Sequence, residues 1–422
     1  MRVLVVGGGG REHAIGWSLA KSPSVHSLTF TPGNAGMASL GECMPVRDGD
    51  IAAVASLAEY IAADLVVVGP EGPLVAGLAD VLRDKRIPVF GPGRRGAMLE
   101  GSKIHAKRLM AAYGIPTAEA AAFERADEAL AHIGRVGAPI VVKADGLAAG
   151  KGVTVCEDVE TARAAVVEAM QEGRFGDAGR RVVLEECLRG EELSVLAFAD
   201  GKTVVAMEGA QDFKRAYEGD RGPNTGGMGS YSPVPACSPA VQDAVYDRIL
   251  EPIAAAVAAE GEPYVGVIYA GLMLTDDGPK VVEFNCRFGD PETQAVLPRL
   301  ETPLADVMVA CTEGRLAEVD LSWRPDACVT VVAASEGYPG SYATGARIDG
   351  LEEAAEVPGS IVFHAGTTMD RRGNVLTAGG RVLAVSGLGP SIPEARATAY
   401  EALSKISFAG MWSRPDIAAR AG

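Results

Sequence analysis

Three short segments carry residue types whose spacing suits phosphate chemistry. The first is KADGLAAGKG, residues 143–152, where Lys143 and Lys151 flank a loop containing Gly146 and Gly150, and Gly152 follows. Backbone N–H groups of a glycine-rich turn can cradle phosphate oxygens, and the lysines add positive charge. The spacing is not that of a P-loop. Gly146 and Gly150 are separated by three residues instead of four, and Gly152 stands where Ser or Thr would bind magnesium. A strand is expected after the loop, where a P-loop would have a helix. The segment reads as a β-hairpin tip able to close over a triphosphate. An ordinary solvated hairpin would not require so many glycines and alanines.

The second segment is VVEFNCR, residues 281–287. Side chains alternate faces along a strand, so Glu283, Asn285 and Arg287 share one face while Val282 and Phe284 point to the core. Glu283 and Asn285 offer hard oxygen ligands. Magnesium usually takes only one or two of these from protein and the rest from phosphates and water. Arg287 can stabilise charge on a transferring phosphoryl group. The plain alternative is an exposed edge strand with an ion pair, against which stands the polar continuation FGDPET, residues 288–293. The third segment, LEECLRGEE at 184–192, reads as strand, hinge and strand. A hinge backbone between lobes can receive an adenine edge, although an acidic hinge is the simpler reading of this segment alone.

Glycines 7–10 follow the first strand, but a dinucleotide fingerprint needs a glycine where Glu12 stands. It also wants an acidic residue where Thr31, Pro32 and Gly33 stand. A nicotinamide reading fails on both. What survives is a turn feeding a helix N-terminus, which can hold a phosphate or be only a tight β–α connection. Histidines 13, 26, 105, 132 and 364 form no triad or metal spacing, and His13 is expected to cap the first helix. No G-x-S-x-G hydrolase motif occurs.

The elements positioning these segments begin with strands at 3–6 and 65–68 and helices at 12–21 and 74–85. This alternation implies a parallel sheet covered by helices, with ligands at the strands' carboxyl ends. A helix is expected at 102–113 with Ser102 as N-cap. Strands at 140–143, 152–156, 182–186 and 192–198, with a helix at 159–171, predict a small antiparallel sheet forming a separate lobe. Residues 211–235, rich in Gly, Pro, Asn and Ser, read as a long functional loop. Residues 323–325 mark a boundary before a β-rich final domain ending in a helix at 391–406.

At 422 residues the chain should hold two to four domains. Its net charge of −16 argues against non-specific nucleic-acid binding. The seven cysteines stand singly, which fits a reducing cytosol. Neither a signal peptide nor a run of about 20 apolar residues is evident, so a cytoplasmic protein away from membranes is expected.

In order along the chain stand GGREHA from Gly9, PGNAG from Pro32, GPEGPL from Gly69 and LEGSK from Leu99. KADGLAAGKGV, GPNTGGMG from Gly222, EFNCRFGDPETQ from Glu283 and GGRV from Gly379 follow. With these strings the chain resembles the phosphoribosylamine–glycine ligase family, the glycinamide ribonucleotide synthetases of purine synthesis, over nearly its whole length. The resemblance implies an ATP-grasp fold, of mixed α/β and α+β class, with a Rossmann-like N-terminal domain and a β-rich C-terminal domain. It implies a phosphoribosylamine domain at 1–102, an ATP-grasp domain at 103–325 with a mobile lobe at about 121–190, and a last domain at 326–422.

It also implies that ATP, glycine and 5-phosphoribosylamine give glycinamide ribonucleotide, ADP and phosphate through glycyl phosphate, with Mg2+ or Mn2+. Lys103, Lys143 and the loop with Gly146, Gly150, Lys151 and Gly152 would meet the phosphates. Glu185, Glu186 and Leu188 would border adenine, and Glu192 the ribose. Glu283 and Asn285 match the metal ligands. Arg287, Lys143 and Asp212 are the catalytic candidates. Gly9, Gly10, Asn34, Glu71, Asp212, Lys214, Asn224, Arg287 and Asp290 are the substrate-binding candidates. Two departures stand out. Gly271 replaces a second metal carboxylate usual in related enzymes, and Phe213 replaces a histidine within the QDFKR loop.

The main rival is a carboxylate–amine ligase of the same fold with another acceptor, which GGREHA and PGNAG disfavour. A nucleotide-binding regulator without catalysis is disfavoured by the joint presence of Lys143, Glu283, Asn285 and Arg287. Transient contact with the upstream amidophosphoribosyltransferase is compatible with the resemblance, and a single activity is expected of the chain.

Overall fold

The computed structural model describes residues 1–148 and 151–421. It begins with a parallel sheet of β1 (Arg2–Gly7), β2 (Ser27–Pro32), β3 (Glu42–Cys43), β4 (Leu65–Val68) and β5 (Val89–Phe90), ordered β3-β2-β1-β4-β5. Every residue of β4 is buried, as a parallel strand covered on both faces requires. Around the sheet run α1 (Gly10–Ala20), α2 (Ile51–Tyr60), α3 (Glu71–Val75), α4 (Leu78–Asp84) and α5 (Arg94–Gly101). The single helix expected at 74–85 is two, because Gly77 adopts φ +90 between α3 and α4. The strand order reverses between β1 and β4, so the loops after these strands border the crevice where such sheets bind ligands.

Helix α6 (Lys103–Ala112) leads out of this unit, with the Ser102 hydroxyl accepting from the His105 amide at 3.2 Å. Strands β6 (Ala120–Phe123), β7 (Ile140–Ala144), β8 (Val153–Cys156) and β9 (Val182–Glu186) form an antiparallel sheet ordered β6-β9-β7-β8. Helices α7 (Ala126–Val136) and α8 (Val159–Met170) cover it, and Ile133, Val142, Val166 and Leu184 share a core separate from the rest of the molecule. A lobe with its own core can move as a unit.

The strand expected at 192–198 lies outside this lobe. It runs Glu191–Asp200 as β10 and pairs with β11 (Val204–Ala206) and, farther along the chain, with β16 (Val265–Thr275). A hydrophobic run signals burial and says nothing about which distant strand will satisfy its backbone groups. Residues 211–235 depart further from the expected loop. They supply β12 (Gln211–Asp212), β13 (Arg215–Tyr217), β14 (Arg221–Asn224) and β15 (Gly229–Ser232). Their glycines and prolines weaken local strand propensity, but β13 pairs with β14, and β12 with β15, which is anchored in turn by a strand about a hundred residues later.

Strands β16 (Val265–Thr275) and β17 (Gly278–Asn285) complete a central antiparallel sheet ordered β11-β10-β16-β17. The last part contributes β18 (Ala327–Ser335), β19 (Ser360–His364), β20 (Thr367–Met369), β21 (Val375–Thr377) and β22 (Arg381–Gly389). Its main sheet runs β12-β15-β18-β22-β19, so β12 and β15 are sewn into the C-terminal sheet, while β13 and β14 form a two-stranded sheet of their own. Helix Ile392–Leu403, capped by Ser391, packs against it. No helix among the described residues is long and apolar enough to cross a membrane.

Candidate active site

The crevice between β1 and β4 is filled from within. Glu12, in the first turn of α1, turns its carboxylate back so that Oε2 accepts from the Gly9 amide at 2.7 Å. A Cβ on Gly7 would lie 2.6 Å from Glu12 Cγ, and one on Gly69 would meet the same side chain. These glycines admit Glu12, and its negative charge occupies the helix N-terminus that the sequence offered to a phosphate. Gly9 and Gly10 therefore serve the turn and do not line the main cavity. Asn34 is also absent from that wall. Its amide donates to the carbonyls of Gly8 and His364, and its oxygen accepts from Gly36 and Met37. His13 does not cap α1: its Nδ1 accepts from the His364 amide at 2.7 Å.

The main cavity, about 1510 Å³, opens where the four-stranded lobe, the central sheet and the N-terminal unit meet. From the lobe come Lys143, Gly146, Gly152 and Glu185. Lys143 Nζ is 2.8 Å from Glu185 Oε2 and donates to the Val282 carbonyl at 2.8 Å. Its side chain is only 4% exposed, so a cation and a carboxylate share a nearly water-free wall. The loop after Lys143 is tied to α6 through Asp145, which accepts from Ser102 Oγ and the Ile104 amide and pairs with Arg181 at 2.6 Å. That tie sets Lys103, on the first turn of α6, beside the same cavity. Lys151 lies elsewhere, its Nζ 3.4 Å from the Pro339 carbonyl. Gly150 lies outside the described residues.

The hinge after β9 brings Glu186 and Leu188 to the wall, followed by Glu192 at the start of β10. Glu192 and Asp212 both pair with Lys214, at 2.7 and 2.6 Å. Burial pushes the Asp212 carboxyl up to about 7; Lys214 opposes this, while Glu292 and Glu192 add to it. Glu292 is itself buried and accepts from Tyr269 at 2.7 Å. Phe213 packs between the Tyr231 ring, 6.2 Å away, and the Arg414 guanidinium at 5.2 Å. Asn224 completes this side.

On β17 the face alternation expected from the sequence needs one correction. The register passes from Gly271 opposite Glu283 to Leu272 opposite Val281, leaving Val282 as the extra residue of a bulge. Val281 and Phe284 are buried while Val282 is partly exposed, so Val282 is not a core residue. The bulge frees the Val282 carbonyl for Lys143. Glu283 and Asn285 line the cavity. A Cβ on Gly271 would stand 3.3 Å from Glu283 Cγ, so this wall has little room for a second carboxylate there. Among the described residues no three His, Cys, Asp or Glu side chains form a metal cluster. One carboxylate and one amide oxygen make an incomplete hard-oxygen set, which fits a divalent cation completed by phosphates and water.

Arg287 follows the strand and is held tightly. Its Nε donates to Glu71 at 3.1 Å, Nη2 to Glu100 at 2.7 Å and Nη1 to the Phe288 carbonyl at 3.1 Å. Burial opposes ionisation of Glu71, yet Arg287 and Arg11 outweigh it and hold the carboxyl at about 2. Burial pushes Glu100 up, against the pull of Arg287. Asp290 pairs with Arg381 of β22 at 3.1 Å and accepts from Gln294. Burial opposes its ionisation, but Arg381 and Arg11 keep the carboxyl below its ordinary value.

Arg11, Glu100, Lys107, Glu292 and Arg381 also line the cavity, and the sequence reading gave them no role. Arg11, Glu100 and Arg381 lie inside GGREHA, LEGSK and GGRV, so the strings were visible while the side chains' targets were not. Lys107, 3.4 Å from Glu185, had only its helical position four residues after Lys103 as a signal.

Three family models match successive parts of the chain. They are the phosphoribosylglycinamide synthetase N domain at 1–100, its ATP-grasp (A) domain at 101–293 and its C domain at 328–420. Phosphoribosylamine–glycine ligase of Nostoc sp. is 50% identical over 424 residues, spanning 100% of this chain and 99% of that protein. The Caulobacter vibrioides protein of the same name is 49% identical over 422 residues, spanning 100% and 98%. Among solved structures, phosphoribosylamine–glycine ligase from Thermotoga maritima superposes with a TM-score of 0.84 at 35% identity, covering 99% of this chain and 100% of that one. The biotin carboxylase domain of Hydrogenobacter thermophilus 2-oxoglutarate carboxylase shares the fold, with a TM-score of 0.72 at 16% identity and coverage of 98% and 91%.

Proposed function

The chain belongs to the phosphoribosylglycinamide synthetase family, and from that membership and the cavity we infer how it works. It is an ATP-grasp ligase of purine biosynthesis that joins glycine to 5-phosphoribosylamine, giving glycinamide ribonucleotide, ADP and phosphate. The observation that carries the mechanistic reading is the meeting of Lys143, Glu283, Asn285 and Arg287 on one cavity from different sheets and loops.

A carboxylate acylates poorly because its leaving group would be oxide. In our reading a glycine carboxylate oxygen attacks the γ-phosphorus of ATP, ADP leaves, and glycyl phosphate forms. The nitrogen of 5-phosphoribosylamine then attacks the acyl carbon, phosphate leaves, and the nitrogen gives up a proton. Positioning and charge stabilisation are the protein's main work in such transfers. Lys103, Lys143, Gly146 and Gly152 hold the phosphates, and Lys151 leaves the Pro339 carbonyl to join them when the lobe closes. Glu185, Glu186 and Leu188 border the adenine, and Glu192 the ribose. Arg287 faces the oxygens that gain charge at transfer. Asp212, with its raised carboxyl, is suited to take the amine proton near neutral pH. Glu71, Lys214, Asn224 and Asp290 border the two substrates.

Glu283 and Asn285 would hold Mg2+ or Mn2+, which neutralises phosphate charge when bound. We assign the phosphoribosylamine domain to 1–102, the ATP-grasp domain to 103–325 with a closing lobe at 121–190, and the last domain to 326–422. A cytoplasmic setting, with the labile amine received through transient contact with the amidophosphoribosyltransferase, accords with this reading.

Glycine labelled with 18O in its carboxylate tests the acyl-phosphate route. One labelled oxygen should appear in the released phosphate, because the oxygen that attacks phosphorus leaves with it. Unlabelled phosphate from a productive turnover would overturn the route.

A further inference from the structure

We propose that Glu100 is a positioning residue for the ligase reaction, holding Arg287 aimed into the cavity from the N-terminal side. The proposal rests on the reading of Arg287 given above. Glu100 lies near the end of α5, only 9% exposed. Oε2 accepts from the Cys286 amide at 2.9 Å and from the Cys286 thiol at 3.3 Å, while Oε1 accepts from Arg287 Nη2 at 2.7 Å. One carboxylate therefore grips both the main chain and the side chain of neighbouring residues at the end of β17. Burial raises this carboxyl, while all three partners are donors that act against that rise.

A buried carboxylate is costly to keep for packing alone, since apolar groups of the same volume fill a core without the desolvation penalty. What it adds here is direction. With Glu100 on Nη2 and Glu71 on Nε, the guanidinium plane is fixed from two sides. Both carboxylates come from the N-terminal unit, whereas Arg287 follows the strand that carries Glu283 and Asn285. The N-terminal unit thus sets the orientation of a charge that acts in phosphoryl transfer. In such a site a displacement of about 1 Å can cost on the order of a hundredfold in rate.

The alternative is a structural bolt between domains, and a kinetic cycle separates the two. Glu100→Gln keeps the shape but faces an amide NH2 toward one of the three donors. With saturating glycine and amine, we expect its kcat to fall at least about tenfold, with KM for ATP within about threefold of the parent. Arg287→Lys should also be impaired, and the double variant should be no slower than Arg287→Lys alone, because both changes remove one oriented charge. Glu100→Asp, which keeps the charge on a shorter arm, should retain more kcat than Glu100→Gln and serves as the readout should the amide variant fold poorly. Multiplying effects in the double variant would overturn the proposal, as would a Glu100→Gln kcat within twofold of the parent. Near-parent turnover by Arg287→Lys would instead remove the role of Arg287 itself.

Discussion

Lys143 Nζ donates to the main-chain carbonyl of Val282 at 2.8 Å, so a lysine of the four-stranded lobe is hydrogen-bonded to the bulge next to Glu283. The contact joins two segments 139 residues apart and sets the phosphate-binding candidate beside the strand that carries the two proposed metal ligands. Its partner Glu185 is as buried as the lysine itself.

Replacing Lys143 with Met should therefore affect both turnover and stability. The Glu185 carboxylate would keep only the more distant Lys107, at 3.4 Å. Breaking a buried pair from one side costs roughly 3–5 kcal/mol, and Lys107 should reduce that to the lower part of the range. ADP release should fall by about a hundredfold or more, a loss of about 2.7 kcal/mol in transition-state stabilisation. Thermal melting and an ADP-coupled assay check the two effects separately.

Glu283→Ala and Asn285→Ala should leave circular dichroism unchanged while raising the divalent-cation concentration needed for half-maximal ADP formation. Each removes one of the two oxygen ligands proposed on the cavity face of β17. Unchanged metal titration curves for both variants would contradict the assignment.

Asp212 predicts a pH limb. A base works only when ionised, and this carboxyl is raised to about 7, mainly by burial. The rate of ligation should rise with pH through that region and level off above it. Asp212→Asn should be slow and should lack the limb, which a pH profile of kcat at saturating amine would reveal.

The buried pair His13 and His364 predicts acid sensitivity at the junction of the first and last parts of the chain. Burial, with the neighbouring His364 adding to it, holds His13 at about 3. Burial holds His364 at about 4. Both values lie below the unfolded value of about 6.5. The unfolded chain therefore binds more protons, and stability present above about pH 6.5 is lost as pH falls toward the folded values. By pH 5 the two groups together should remove about 4 kcal/mol, at 1.36 kcal/mol per pH unit each. Denaturant midpoints measured from pH 7 to 5 should fall less steeply in His13→Gln.

Gly69→Ala places a methyl group against Glu12, whose carboxylate caps α1. The expected loss is about 1–3 kcal/mol, from overpacking and a weakened helix start. Calorimetry gives the size. A melting temperature unchanged by the substitution would show that Glu12 can leave the crevice without cost.

By itself the sequence determined what depends on neighbours along the chain. Buried runs such as Leu65–Val68 gave strands, Ser102 and Ser391 gave helix caps, and the glycine loop after Lys143 gave a hairpin. The long strings identified the family, and most named site residues do line one cavity. Tertiary structure alone decided which remote groups met. Local propensity does not tell β10 to leave the lobe, or β15 to pair with β18 about a hundred residues later. Nor does a string reveal that Glu12 fills its own crevice, that Val282 bulges, or that Arg381 reaches Asp290. Alternation along a strand fails wherever an extra residue shifts its phase, and pairing between buried charges is settled by distances that exist only after folding. The grip of Glu100 on Cys286 and Arg287 is of that second kind, built across 186 residues of chain.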